Sequence, residues 1–563
     1  MIKIQNLSFG YNRKKMLYEN LSMSLEAGSI YGLLGKNGAG KSTLLCNMMG
    51  LLFPVSGRIE VVQHNPQKRQ PSFLQNVYFI PEEVAFPSIS IHTYLELYAP
   101  FYPKFNEHQF YEYLKEFEVP NDQKLNKMSF GQQKKAIIAF GLACNTQVFI
   151  MDEPTNGLDI PSKSQFRKLV AAALTEERLF IISTHQVRDL DNLIDQIIII
   201  DESEVLLKAS IMSINEKLCF KTVAEPDKNV LYAEDSLKGK TVVAVNVMGE
   251  DSRINIEHLF NAVIANPKRI KDIFKKQLIT KPLQTIQKMN NTFNFRRFGL
   301  LLRKTIYEKG LVLGGTFILV TVLIVLSYSS TSQNRVSSLP QSMGFVIGLF
   351  SVTAWVNILL NNFSKKSVAA SYLTLPCSHI EKWLSVFVIT VFMYLPLFLV
   401  VFKVIDTLFL NHYRELAISK FHYSTKQLET DLPYLTYNFI EKDNLNRMPF
   451  GFFLPTFFGL GGVAVVGSLY FNQKSYIKTA LVFLGLAFAL SLGSDMLFRA
   501  IIGEESSTSI LSFTKAVITT ENTRFFTVNA SESIQQIVKY FMMIFIPMAL
   551  WLIGLVRFSD KEL

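Results

Sequence analysis

An α/β domain followed by an all-α half of six membrane-spanning helices is the fold class this 563-residue chain predicts. Three observations predict it. A glycine-rich loop, Gly35-Lys36-Asn37-Gly38-Ala39-Gly40-Lys41-Ser42-Thr43, lies between an apolar run, Ile30-Tyr31-Gly32-Leu33-Leu34, and a helix-like segment, Thr43-Leu44-Leu45-Cys46-Asn47-Met48-Met49. A second apolar run, Val148-Phe149-Ile150-Met151, ends in two carboxylates, Asp152 and Glu153. Apolar stretches of membrane-crossing length crowd the C-terminal half, hydrophobic residues make up 49% of the chain, and mean hydropathy is positive.

The glycine-rich loop has the G-x-x-x-x-G-K-[ST] spacing in a strand–loop–helix setting, which makes it a phosphate cradle. Its glycines let backbone N–H groups converge on β- and γ-phosphates. The helix that follows adds the positive end of its dipole. Lys41 contributes a point charge and the Ser42 hydroxyl a ligand for Mg²⁺. Gly35, Asn37, Gly38, Gly40, Lys41, Ser42 and Thr43 are therefore the expected ATP-binding residues of the loop. Asp152 is placed to hold Mg²⁺ through water, and Glu153 to polarise the attacking water. Nucleotide hydrolysis needs both, because it rests on positioning and charge stabilisation.

Two further motifs narrow the class. Met128-Ser129-Phe130-Gly131-Gln132-Gln133 precedes a helical run, and Ile181-Ile182-Ser183-Thr184-His185 is a strand ending in histidine. Phosphate loop, S-x-G-Q, acidic strand end and strand-end histidine, in that order, resemble the nucleotide-binding domain of the ATP-binding cassette (ABC) superfamily over about residues 1–210. The resemblance implies roles by position. Tyr11 lies where an aromatic ring stacks on adenine. Ser129, Gly131 and Gln132 correspond to the signature that meets the γ-phosphate held by the opposite subunit. Glu153 corresponds to the catalytic glutamate, His185 to the switch histidine, and Gly157-Leu158-Asp159 to the loop joining two sites. Phe130 departs from the family's glycine. Glu82, followed by Glu83, stands where the family has glutamine. A carboxylate can still ligate Mg²⁺, a hard cation, but when ionised it cannot donate a hydrogen bond. Which of the two glutamates faces the metal stays open.

The C-terminal half carries all three tryptophans, Trp355, Trp383 and Trp551, in or beside long apolar runs, matching the interfacial preference of this residue. A span needs about 20 apolar residues. Six candidates occur, at 310–327, 343–360, 383–402, 451–471, 479–498 and 537–556. Pro396, Pro455 and Pro547 fall inside spans, where neighbouring helices can satisfy the freed backbone groups. An ATP-binding domain belongs in the cytosol, and Met1-Ile2-Lys3-Ile4 reads as a strand rather than a signal peptide. Both termini are then cytoplasmic. Lys365, Lys366, Lys382, Lys474, Lys478 and Arg557 come out on the inner side, as the positive-inside rule asks. The long connections at about 404–448 and 499–535 come out outside. The formal charge of +11 is explained this way and does not call for nucleic acid.

Residues 211–285 hold two strand-like runs, 229–232 and 241–245, and a helix-like stretch at 256–276. They read as an accessory region of the ATPase domain, and 281–294 as a linker. Met289 resembles an independent start, so a natural or artificial fusion at that point is open. Residues 295–304 mix aromatic, aliphatic and basic side chains at helical spacing, which suggests an amphipathic helix on the inner membrane surface. The four cysteines, Cys46, Cys144, Cys219 and Cys377, map to the cytoplasmic side without a C-x-x-C pair, so reduced thiols and no thiolate metal site are expected. Asn357, Asn361 and Asn362 at the second span are either pathway residues or interhelical hydrogen-bonders.

The segment 372–378 resembles the cytoplasmic loop by which bacterial type II ABC permeases dock on their ATPase. The ATPase-first order resembles the half-transporters of the ABC G subfamily. The expected organisation is an α/β P-loop ATPase domain (1–210), the accessory region and linker (211–285), and an all-α membrane domain of six transmembrane helices (286–563). These resemblances imply an ATP hydrolase coupled to transport in a bacterial plasma membrane. It would be an exporter of apolar or amphipathic cargo, with ATP and Mg²⁺, working as a dimer with a second copy or a related half-transporter. The alternative is a membrane-bound ABC ATPase for signalling or lipid remodelling without solute flux. The cargo itself is not readable.

Overall fold

The computed structural model describes residues 1–274, 292–329, 339–421, 450–502 and 531–563, apart from 13–14, 191, 202, 226–228, 237–238, 248, 251 and 472–473, and a small sheet described below. Of the linker expected at 281–294, residues 281–291, with Met289, lie outside them. The chain divides into two compact units. One comprises Met1–Leu300, Lys366–Ser378 and Glu562–Leu563; the other comprises Leu301–Lys365 and His379–Lys561.

Among its described residues the first unit has, before the accessory region, the strands β1 (Ile2–Phe9), β2 (Tyr18–Leu25), β3 (Ser29–Leu34), β4 (Ser56–Val61), β5 (Val77–Ile80), β6 (Val148–Asp152), β7 (Leu179–Thr184), β8 (Gln196–Asp201) and β9 (Glu204–Ser210). β5-β6-β7-β3-β8-β9 form a six-stranded sheet, parallel except for the β8–β9 pair. β6 and β7 are buried at every position, and β3 at all but its first. Continuous apolar runs are what a parallel sheet covered on both faces demands. β2-β1-β4 form a separate antiparallel sheet. The accessory region adds β10 (Leu218–Val223), β11 (Val230–Ser236) and β12 (Gly239–Val245), antiparallel in the order β10-β12-β11. Its helix-like stretch is two helices, Ile256–Ala265 and Pro267–Phe274. The break falls where Pro267 cannot continue the first helix.

The second unit is helical. Among the described residues five helices are long and apolar enough to cross a membrane: Phe295–Ser329, Met343–Ser364, His379–Phe409, Phe453–Tyr470 and Glu532–Ser559. The fifth expected span, 479–498, falls on the helix Ser475–Ile502, of which Ser475–Leu486 stands out as a shorter apolar helix. The expected surface helix at 295–304 is not a separate element. It opens one continuous helix, Phe295–Ser329, because no proline interrupts the run. The outer connection expected from residue 404 starts only after Phe421, since the helix Leu395–Phe421 continues that far. The later connection carries a small antiparallel sheet of Ser506–Ser507, Lys515–Thr519 and Phe525–Asn529.

Two π-helical turns, Ile389–Tyr394 and Phe541–Phe545, each end two residues before a proline, Pro396 and Pro547. A proline withholds a donor and crowds the preceding turn, so the helix widens there rather than breaking. Close packing relies on glycine: a Cβ at Gly348 would collide with the Phe398 ring. Asn357 takes the interhelical role, its Nδ2 donating to Ser468 Oγ at 3.2 Å and Ser475 Oγ at 2.8 Å. Asn361 opens the 3₁₀ turn Asn361–Ser364.

Candidate active site: a phosphate loop, two carboxylates and a histidine on adjacent strands

Strand register assembles the site. Leu34 of β3 pairs with Thr184 of β7, and Asp152 of β6 pairs with Ser183 of β7. Three neighbouring parallel strands therefore deliver the loop after β3, the carboxylates at the end of β6 and His185 after β7 to one edge. Ligands of open α/β sheets bind at that carboxyl edge.

The loop is shaped by its glycines where φ is positive: +84° at Gly38, with open space around it, and +95° at Gly40, against Tyr18. The Tyr18 hydroxyl donates to the Gly40 carbonyl. Gly35 is buried, while Lys36, Asn37 and Gly38 are exposed. Lys41 begins the helix Lys41–Met48, and its Nζ donates to the Gly35 and Lys36 carbonyls at 2.8 and 3.2 Å. Burial lowers its pKa, opposed by the nearby charges of Glu153, Asp152 and Glu82. Tyr11 is 71% exposed, and its hydroxyl shares a hydrogen bond of 2.9 Å with Thr43 Oγ1. Its ring meets Phe9 edge-on at 5.1 Å. Tyr11 thus presents an open face beside the loop.

Asp152 is buried and bonded to hydroxyls on both sides. Ser183 Oγ donates to its Oδ1, and Ser42 also hydrogen-bonds the carboxyl. Desolvation raises its pKa, and the two serine bonds act against that rise. Glu153 lies one residue past β6 with φ of +46°. A non-glycine residue in that region is uncommon and is held only by its surroundings. The holding groups are visible. Its N–H donates to the Ser183 carbonyl at 3.1 Å, Oε2 accepts from Thr184 Oγ1 at 3.1 Å, and Oε1 accepts from the His185 N–H at 3.0 Å. His185 Nδ1 lies 2.8 Å from the same Oε1. A carboxylate oxygen accepts, so the contact selects the tautomer with the proton on Nδ1 and leaves Nε2 uncommitted to Glu153.

Ser129 caps the helix Phe130–Ala143 through a reciprocal pair with Gln132: Gln132 N–H to Ser129 Oγ at 3.3 Å, and Ser129 N–H to Gln132 Oε1 at 2.9 Å. Gly131 follows in its first turn. Among the described residues no hydrogen bond or ion pair joins Ser129, Gly131 or Gln132 to the phosphate loop of the same chain. Of the two adjacent glutamates, Glu82 is the one whose charge acts on Lys41 and on Lys134.

Several participants receive no role from the motifs. Ser183 and Thr184 are polar residues ending an otherwise apolar strand, which is the signal that could have marked them. Lys36 pairs with Asp201 at 2.9 Å. A cleft of about 550 Å³ opens beside the loop, lined by Lys36, Asn37, His185 and Arg188 together with Glu257 and Phe260 of the accessory helix Ile256–Ala265. Arg188 pairs with Glu257 across it at 2.9 Å.

A family model for ABC transporters matches residues 18–156. The putative ABC transporter ATP-binding protein AlbC of Bacillus subtilis is 30% identical over 194 residues, which is 33% of this chain and 81% of that protein. The bacitracin transport ATP-binding protein BcrA of Bacillus licheniformis is 29% identical over 247 residues, 43% of this chain and 78% of that protein. The ABC transporter ATP-binding protein YtrB of Bacillus subtilis is 26% identical over 220 residues, 38% of this chain and 73% of that protein.

Proposed function

The chain belongs to the family of ABC transporter ATP-binding proteins, and from that premise we propose that it is an ATP-driven membrane transporter, an exporter of apolar or amphipathic cargo that works as a dimer. One observation carries the reading. The compact unit that contains the phosphate loop, Glu153 and His185 also contains Lys366–Ser378, a segment between the second and third candidate spans. Tyr102 of that unit has its pKa raised first by complete burial and then by neighbours that include Cys377. A transporter needs such a segment, because ATP-driven motion has to reach the spans.

The residues divide the chemistry. Lys41 and the loop amides bind the β- and γ-phosphates, and Tyr11 stacks on the base. Glu153 orients and polarises the attacking water, while His185, fixed by Glu153, reaches the γ-phosphate through Nε2. Ser42 and Asp152 supply a hard, all-oxygen donor set, and Glu82 a third carboxylate. That set suits Mg²⁺ completed by substrate phosphates. Mg²⁺, when bound, supplies neutralisation of the charge on the phosphates. Ser129, Gly131 and Gln132 serve the phosphate site of a second copy, which accounts for their lack of a bond to their own loop. The membrane domain then has six spans, the fifth on Ser475–Ile502, with both termini in the cytoplasm of a bacterium.

The test is reconstitution of the full chain in liposomes. ATP hydrolysis that rises with an amphipathic compound, together with ATP-dependent movement of that compound, supports the reading. Hydrolysis without movement of any compound screened favours the signalling or lipid-remodelling alternative.

A further inference from the structure

Lys134 belongs to none of the motifs, yet it is among the most completely buried side chains, at 0% exposure. It sits in the helix Phe130–Ala143, two residues past Gln132. Lysine is almost never fully buried unless paired, and a buried ammonium without partners is costly. Its partners come from a distant part of the chain. Nζ donates to the carbonyls of Glu82 at 2.7 Å and Pro81 at 3.3 Å. Those carbonyls belong to the loop that leaves β5. Burial lowers its pKa to about 8, and the carboxylates of Asp152, Glu82 and Glu153 act against that fall.

We propose that Lys134 is a positioning residue of the ATPase site: it ties the Glu82 loop to the signature helix and supplies the positive charge that allows a glutamate to stand beside Asp152 and Glu153. The proposal rests on the ATPase reading above. The charges of all three carboxylates act on the same two lysines, and like charges gathered in one place repel. Two lysines face the group, Lys41 and Lys134. Lys41 is committed to incoming phosphates. Lys134 is held by two carbonyls away from the loop, so its charge stays with the carboxylates throughout. Glutamine at position 82, the residue of the resembling family, would need no such compensation. Glu82 and Lys134 therefore act as a matched pair across two elements, and the tether makes any shift of the Glu82 loop a shift of the helix that presents Ser129.

The experiment uses the full purified chain with Lys134→Met, Lys134→Arg, Glu82→Gln and the double variant Lys134→Met/Glu82→Gln. Two quantities are read: equilibrium binding of a fluorescent ATP analogue without Mg²⁺, so that the part Glu82 would play in holding the metal does not enter, and hydrogen exchange of residues 81–88 without nucleotide. Lys134→Met weakens binding by about tenfold or more and speeds exchange of the loop. Lys134→Arg keeps binding near the wild-type value. Adding Glu82→Gln to Lys134→Met recovers binding but not slow exchange, because the surplus charge has gone while the tether is still missing. Lys134→Met with wild-type binding and exchange overturns the proposal, as does a double variant that binds no better than Lys134→Met alone. Should Lys134→Met fail to fold, Glu82→Gln alone decides: tighter binding of the analogue supports the charge pairing, and equal or weaker binding overturns it. A wild-type chain that binds no nucleotide sinks the ATPase reading instead, and loop exchange still tests the tether.

Discussion

The ring of Phe130 lies directly over Gly157: a Cβ built on that glycine would stand 2.5 Å from Phe130 Cδ1. Gly157 has φ of +81°, and Gly131 approaches its carbonyl from the same side, a Cβ there falling 3.1 Å from the Gly157 oxygen. The phenylalanine that replaces a signature glycine is thus accommodated by a second glycine in the loop before Leu158 and Asp159. Gly157→Ala meets two obstacles. The left-handed backbone costs about 1–2 kcal/mol for any L-residue, and the ring must move. Phe130 is 48% exposed, so the ring can swing away. The backbone cost therefore dominates. Thermal melting should show Gly157→Ala destabilised by about 1–2 kcal/mol, with Phe130→Gly relieving only a minor part. Full recovery in the Phe130→Gly background would mean that the ring, not φ, constrains this position.

Lys41→Ala removes the ammonium that now bonds the Gly35 and Lys36 carbonyls. Hydrogen bonds to charged groups contribute about 1.5–3 kcal/mol each. ATP affinity, measured by equilibrium binding of a fluorescent analogue, should fall by at least about tenfold, and hydrolysis should disappear. Wild-type turnover in this variant would remove Lys41 from the phosphate site.

The phosphate loop, Asp152, Glu153 and His185 are legible in the sequence because each sits where an apolar strand stops, and sequence order tracks the end of the sheet they share. Lys134 is not legible. Its role depends on the β5 loop meeting a helix 52 residues later in the chain, and no local pattern distinguishes it from the neighbouring Lys135. Ser183 is similar, since only the register of β6 against β7 puts its hydroxyl on Asp152. The membrane half is legible as apolar runs but not in its joints. Residues 295–304 and the first span differ sharply in polarity, yet the backbone passes between them as one helix, because polarity alone does not break a helix.

Leu373 and Leu375 are buried at 0% and 2% exposure in the segment Lys366–Ser378, which belongs to the ATPase-bearing unit. Serine in their place removes apolar area and inserts hydroxyls into a closed contact. Large-to-small changes of this kind cost about 2–5 kcal/mol at buried sites. None of the phosphate-site residues is touched. Basal ATP hydrolysis should stay within about twofold of wild type, a change of less than about 0.5 kcal/mol, while cargo moved per ATP falls. Unchanged transport per ATP would show that this segment does not couple.

Glu153→Gln separates binding from turnover. Glutamine keeps the shape and one acceptor oxygen, which can hold the bond from the His185 N–H or the one from Thr184 but not both, while the negative charge that polarises water is lost. Ser42 and Asp152 are unaltered, so Mg²⁺-ATP should still bind. Loss of a general base typically costs on the order of 10²–10⁴ in rate. The variant should accumulate in an ATP-bound, closed dimer, with Ser129 of one copy near the phosphate loop of the other. Cysteines introduced at Ser129 and Asn37, both exposed, report that closure by cross-linking. The native thiols interfere little: Cys144, Cys219 and Cys377 are buried, and burial pushes Cys46 up to about 12, where the thiol stays protonated and unreactive. Asp152→Asn should instead weaken Mg²⁺-dependent binding itself, since it removes charge from the proposed metal-holding oxygen. A cross-link that forms within one chain, or that ignores ATP, would falsify the shared site, and the dimer mechanism built on Ser129 would fall with it.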